Sequence, residues 1–135
     1  MWVHSDLLPP NLLAREGRLT AVIDFGCAGI GDPACDLMAA WTVFDARTRP
    51  LFRARVKPDD ATWERGRAWA LAFGLAAWHY YERSNPGFAA VGRRAVEEAV
   101  GQAAWSYRSR WRATTGSASG TATINALCVG CIEAS

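Results

Sequence analysis

Residues 2–37 read WVHSDLLPPNLLAREGRLTAVIDFGCAGIGDPACDL, and the way this stretch divides decides how the rest of the chain is read. Asn11 to Ala14 and Leu19 to Ile23 are short, mostly apolar runs on either side of Arg15-Glu16-Gly17-Arg18. Two such runs around a Gly-containing tetrapeptide predict a β-hairpin with a four-residue loop. Its open end would carry Asn11 on one side and Asp24 on the other. Downstream, Gly31-Asp32-Pro33-Ala34-Cys35-Asp36-Leu37 has the order of a helix start. Asp32 suits the N-cap, Pro33 the first helical position, and Asp36 the first turn, where a negative charge meets the helix dipole.

Three acceptor side chains stand at fixed offsets in this stretch: Asp6, Asn11 five positions on, and Asp24 thirteen beyond that. This is the layout of a phosphoryl-transfer site, in which a catalytic loop H-x-D-x-x-x-x-N supplies an Asp for the substrate hydroxyl proton and an Asn for Mg²⁺. His4, Asp6 and Asn11 fit that loop. A second carboxylate, in Asp-Phe-Gly, has to reach the same metal, and Asp24, Phe25 and Gly26 supply it. Mg²⁺ takes one or two protein ligands of this kind and fills its octahedron with water and phosphate oxygens. A single HxD or DFG occurs often by chance, and an Asp beside a turn is more often a backbone cap. Three elements in order, with a hairpin between them, are far more specific.

With these motifs in place, the chain resembles the catalytic half of the aminoglycoside phosphotransferase family, the small-molecule branch of the protein-kinase-like fold. The resemblance rests on Trp2-Val3-His4, Asp6-Leu7, Pro10-Asn11-Leu12-Leu13, Val22-Ile23-Asp24-Phe25-Gly26 and Gly31-Asp32-Pro33-Ala34-Cys35-Asp36-Leu37. It implies an α+β fold, the mostly helical C-terminal lobe of a kinase with a small catalytic β-hairpin near its start. It implies Asp6 as catalytic base, Asn11 and Asp24 as magnesium ligands, and ATP as co-substrate. His4 is implied as a packing and hydrogen-bonding support, and Asp36 as the helix carboxylate that bonds the catalytic-loop backbone. Ser5, Phe25, Gly26 and Asp32 complete the supporting set. The family usually has Gly where Ser5 stands; if that backbone needs φ > 0, Ser adds strain on the order of 1 kcal/mol. Protein kinases place an Arg there to read activation-loop phosphate, and its absence favours a small-molecule kinase.

At 135 residues, 50% hydrophobic and 21% charged, the chain has an ordinary globular composition and the length of one domain. It is short for a complete kinase, which needs a lobe with a Gly-rich loop and a strand Lys over the phosphates. The glycine cluster Gly26-Cys27-Ala28-Gly29-Ile30-Gly31 is not that loop. Residues 1–100 therefore read as a C-terminal catalytic lobe whose N-terminal lobe is a missing partner, and residues 101–135 as a helix end and flexible tail. A formal charge of +2 and no long Lys/Arg run give no indication of nucleic-acid binding. Trp69 to Trp78, the longest apolar stretch, is far below the ~20 residues that span a bilayer. No membrane partner is expected, Met1 and Trp2 leave no room for a signal peptide before His4, and a cytoplasmic location follows.

Beyond the catalytic stretch the periodicity is helical. Leu37, Ala40, Trp41 and Phe44 make one face of a helix from Ala34 to about Phe44. Residues 45–58 read as a connector broken by Pro50 and Pro58, with a short turn at Leu51 to Arg53. Asp59 or Asp60 then caps a long helix to about Arg83, apolar almost all round from Ala68 to Trp78, so Trp69 and Trp78 are expected in the core and His79 partly exposed. Phe88 to about Val100 forms another helix, with Phe88, Val91, Ala95, Val96 and Ala99 on its apolar side.

Of four cysteines, Cys27 and Cys35 read as free thiols, and Cys128-Val129-Gly130-Cys131 lacks the second ligand pair of a structural zinc site. The basic-aromatic segment from Trp105 to Arg112 reads as a solvated face. Two functions fit this sequence. One is a phosphotransferase moving the γ-phosphate of ATP to a hydroxyl of a small-molecule acceptor. The other is a non-catalytic remnant or binding module that keeps the fold.

Overall fold

The computed structural model describes residues 1–101; the CxxC, the basic-aromatic segment and the expected tail lie outside the described residues. The architecture is α+β, mostly helical, with two small antiparallel strand pairs near the N-terminus. Strand β1 (Trp2–Val3) pairs with β4 (Gly29–Ile30), and β2 (Leu12–Arg15) pairs with β3 (Arg18–Val22). The hairpin is tighter than the sequence predicts. Arg15 pairs with Arg18, leaving a two-residue turn in which Glu16 and Gly17 both have positive φ, 51° and 77°. That is the primed turn whose twist matches a right-handed strand pair, and Gly17 makes it accessible. Asn11 ends a 3-10 turn, Pro9–Asn11, and does not begin the strand. An irregularity between Leu13 and Ala14 leaves Thr20 as the extra residue of β3, and its hydroxyl donates to the Leu13 carbonyl at 3.1 Å.

The expected first helix is two short ones, α1 (Ala34–Leu37) and α2 (Ala39–Thr42), separated by a tightening at Met38, whose N–H bonds the Cys35 carbonyl three residues back. Residues 49–56 form a full two-turn helix, α3 (Arg49–Val56), where the sequence suggests only a short turn. Pro50 sits in its first turn, where its missing N–H costs nothing, so it is not the breaker it was expected to be. Lys57, at φ 52°, ends it.

Helix α4 (Asp60–Tyr81) is capped by Asp59, whose carboxylate accepts from the Thr62 N–H at 2.7 Å and hydroxyl at 2.9 Å. Helix α5 (Pro86–Val100) is capped by Asn85, which accepts from Phe88 N–H at 3.1 Å. The two run antiparallel over a seam of small residues: Ala70, Gly74 and Ala77 are buried on α4, and Ala89, Gly92, Ala95 and Ala99 on α5, while Gly66 of α4 is buried against α1. The expected apolar side of α5 is the inward one, with Ala95 and Ala99 buried and Phe88, Val91 and Val96 half-buried. One expectation is corrected: Trp69 and Trp78 are 47% and 38% exposed, not core. A helix that is apolar all round presents no preferred face, and here the small side chains took the seam because they let the backbones approach. Among the described residues the buried tryptophans are Trp41 and Trp63, whose rings lie 4.8 Å apart, packed with Leu8, Leu37 and Met38. Arg49 ties the layers together, donating to the Ala40 carbonyl at 2.7 Å and pairing with Glu98 on α5. Among the described residues no helix is long and apolar enough to cross a membrane.

The seam makes a prediction. A β-carbon at Gly92 would stand 2.7 Å from the Trp78 backbone nitrogen and 2.9 Å from Ala77 Cβ, so Gly92→Ala should destabilise the fold by about 1–3 kcal/mol. Gly87→Ala, in the first turn of α5 with its nearest atom at 3.6 Å, should be neutral or slightly stabilising. Chemical denaturation of the two variants checks this.

Candidate active site

The chain enters the site along β1 and leaves regular structure at His4. Ser5 has φ 65°, the left-handed region in which a β-carbon is strained. Just before this turn, two successive amides meet one anion: His4 N–H and Ser5 N–H donate to Asp36 Oδ2 at 2.9 Å and Oδ1 at 2.8 Å. Charge-assisted bonds to backbone amides are among the stronger ones, and they fasten the loop to α1.

His4 is buried. Its Nδ1 accepts the Asp6 N–H at 3.3 Å, so Nε2 carries the proton and donates to the Ile23 carbonyl at 3.1 Å. Its ring meets that of Phe25 edge-on at 4.6 Å between centroids. Pro9 and Pro10 stiffen the turn that follows, and Leu8, only 2% exposed, plugs the loop into the Trp41–Trp63 core. The turn folds the Asn11 side chain back onto Asp6, with Nδ2 donating to the Asp6 carbonyl at 2.9 Å and to Asp6 Oδ2 at 2.8 Å. With its nitrogen end committed to Asp6, the other end of the Asn11 amide is an oxygen.

Asp24 joins this group through the backbone. Ile23 N–H donates to the Asn11 carbonyl at 3.0 Å while the Ile23 carbonyl takes the His4 proton, so the residue before Asp24 is held from both sides. Asp24 has φ 62°, is exposed, and opens a 3-10 turn over Phe25–Cys27. A β-carbon at Gly26 would lie 3.3 Å from Asp24 Oδ1, so Gly there leaves the carboxylate its room.

A sequence profile of the phosphotransferase enzyme family matches residues 1–69, just over half of the 135. The chain belongs to the phosphotransferase enzyme family. No curated protein and no solved structure gives a significant match. The family match spans β1 through the first half of α4, so it takes in every residue placed above.

Within this member of the phosphotransferase family, the bonds link His4, Ser5, Asp6, Asn11 and Asp36 directly, and Asp24 and Phe25 through Ile23 and the His4 ring. Asp32 stands apart on the α1 side, where Oδ1 accepts the Ala34 N–H at 3.1 Å, capping the helix from one position earlier than the strict boundary. The Arg65 guanidinium beside it holds its carboxyl below the usual carboxylate range. The stabilisation from that pair is present above the ordinary carboxylate value and is lost as pH falls through the lowered one. The acceptor role of the Ile23 carbonyl was not legible in the sequence, since a backbone group carries no residue signature. Cys27 is exposed and Cys35 half-buried, both as free thiols.

Two substitutions probe the loop. Ser5→Gly should stabilise the chain by about 1 kcal/mol by relieving the left-handed φ. Asp36→Ala, which strands two amide donors, should cost about 1–3 kcal/mol. Equilibrium denaturation with matched m-values reads both.

Proposed function

We propose that this chain is the catalytic half of an ATP- and Mg²⁺-dependent phosphotransferase that moves the γ-phosphoryl group of ATP to a hydroxyl of a small molecule, on the C-terminal lobe of a protein-kinase-like fold. Asp6 is the base and Asn11 and Asp24 hold the metal; His4, Ser5, Phe25, Gly26, Asp32 and Asp36 support them. The observation that carries this reading is the Asn11 amide, whose nitrogen is fully engaged by Asp6 at 2.9 and 2.8 Å and whose oxygen is thereby oriented as a ligand.

The donor set fits the ion. Mg²⁺ prefers hard oxygens, dehydrates reluctantly and needs only one or two protein ligands when phosphates supply others, and an Asn amide oxygen with an exposed Asp carboxylate is such a pair. Among the described residues no three His, Cys, Asp or Glu side chains cluster, which suits an ion shared with a nucleotide better than one caged by protein. Asn11 and Asp24 would hold the ion, which would supply positive charge against the negative charge developing on the transferring phosphoryl group. Asp6 has one oxygen on Asn11, so its other oxygen is the one to receive the acceptor hydroxyl proton.

The nucleotide also needs covering from the opposite side by a Gly-rich loop and a strand Lys; the one lysine of this sequence, Lys57, ends α3. We place that lobe against the strand surface, where Trp2, Ile30 and Phe25 are 75%, 82% and 62% exposed. Phosphoryl transfer depends on alignment and on exclusion of water, so the chain by itself should turn over no substrate.

The test combines the chain with a matching nucleotide-covering lobe, ATP, Mg²⁺ and a panel of hydroxylated acceptors. Asp6→Ala should lower kcat by about 10²–10⁴-fold with little change in ATP·Mg²⁺ affinity, and Asp24→Ala should weaken metal-dependent nucleotide binding as well. Unchanged turnover in the Asp6→Ala protein removes Asp6 from the mechanism.

A further inference from the structure

Arg65 lies on the second turn of α4, away from the loop that holds Asp6, yet a chain of bonds joins the two. Its guanidinium gives Nε–H to Asp32 Oδ2 at 2.9 Å and Nη2–H to Asp32 Oδ1 at 3.1 Å. This paired fork fixes orientation as well as distance. A further contact, Nη2 to Thr62 Oγ1 at 3.3 Å, braces the fork against the residue that Asp59 holds at the start of α4. The carboxylate that Arg65 grips is the same one that takes the Ala34 N–H and sets the first turn of α1. The neighbouring Gly66 brings α4 so close that a β-carbon there would meet Leu37 Cβ at 2.7 Å and the Ala34 carbonyl at 3.2 Å. Contact at Gly66 sets how near α1 lies; the fork at Arg65 sets how it is turned. Asp36, four residues along from Asp32, then meets the His4 and Ser5 amides.

We propose that Arg65 is a positioning residue of this site: through its fork to Asp32 it orients α1, keeps Asp36 on the His4 and Ser5 amides, and so presents Asp6 to Asn11. The Arg65 and Asp32 side chains are 50% and 33% exposed, and pairs so exposed add little to global stability. The effect of Arg65 is therefore expected in local geometry. Lys cannot reproduce it, since an ammonium is a point charge without the planar fork. The proposal takes its functional meaning from the phosphotransferase reading, but its test does not depend on turnover.

The experiment records ¹⁵N amide spectra and hydrogen exchange at His4 and Ser5 in the full 135-residue chain, for the wild type, Arg65→Ala, Arg65→Lys, Asp32→Asn and the Asp32→Asn/Arg65→Ala pair. Arg65→Ala should leave the Tm nearly unchanged, move the His4 and Ser5 resonances, and speed their exchange about tenfold, while amides of the α4–α5 seam keep their protection. Arg65→Lys should recover only part of the protection. The double variant should exchange no faster than the faster single one, because both break the same link. Unaltered His4 and Ser5 amides in Arg65→Ala overturn the proposal, as do additive effects in the double variant or a uniform loss of protection across the chain. An absence of turnover in the wild type when it is supplied with a nucleotide-covering lobe, ATP, Mg²⁺ and the acceptor panel, with these amide effects intact, sinks the phosphotransferase reading and leaves the positioning role standing.

Discussion

The carboxylate of Asp36 is the point on which the site depends. It takes two successive backbone amides, His4 and Ser5, from a segment more than thirty residues away, at 2.9 and 2.8 Å. Successive amides converging on one anion form the kind of concavity that binds negative charge well. The left-handed turn at Ser5 then carries the chain round so that the Asp6 amide comes back onto His4 Nδ1. The strain at Ser5 is local, and the two charge-assisted bonds beside it are of a size to hold it in place.

A polar anchor alone would leave the loop free to pivot. Leu8, two residues past Asp6, supplies the second hold by packing among Leu37, Met38, Trp41 and Trp63. The loop is thus pinned at one end by hydrogen bonds and at the other by burial, both onto the same short helices. Those helices are fixed in turn by α4, which meets α1 at Gly66 and α5 at Gly74 and Gly92 through backbone contacts too close for a β-carbon. Interior packing of this density transmits position, and no flexible side chain in the seam can absorb a shift.

The motifs were readable because their chemistry is local. The spacing of His4, Asp6, Asn11 and Asp24, the Asp59 cap and the helix start at Gly31-Asp32-Pro33 all lie within a few turns of chain. The hairpin's existence was legible and its turn was not, since Arg15 and Arg18 look like loop residues until their pairing is seen. The exposure of Trp69 and Trp78 was illegible for a different reason. A helix apolar on every side carries no moment to orient it, and the deciding residues were glycines, which sequence reading treats as poor helix formers and not as the surface of closest approach. Long-range pairs such as Arg49 with Glu98 and Arg65 with Asp32 leave no trace in spacing at all.

The histidine decides which group does the acid–base work in the proposed reaction. A buried imidazole beside a carboxylate is often the first candidate for a base. Here both ring nitrogens are spent: Nδ1 accepts a backbone amide, and Nε2 gives its proton to the Ile23 carbonyl. Taking a substrate proton would require breaking one of these bonds, and the carbonyl at Ile23 is the tie that holds Asp24 to the rest of the site. His4 therefore serves as a neutral crossbar between the two motif segments. Asp6 is the neighbouring group with an oxygen to spare, because Asn11 engages only Oδ2 of its carboxylate. The same bond commits the Asn11 nitrogen and leaves its amide oxygen, so in the proposed reaction a single contact would give Asp6 and Asn11 different tasks, the first to take a proton and the second to hold a cation.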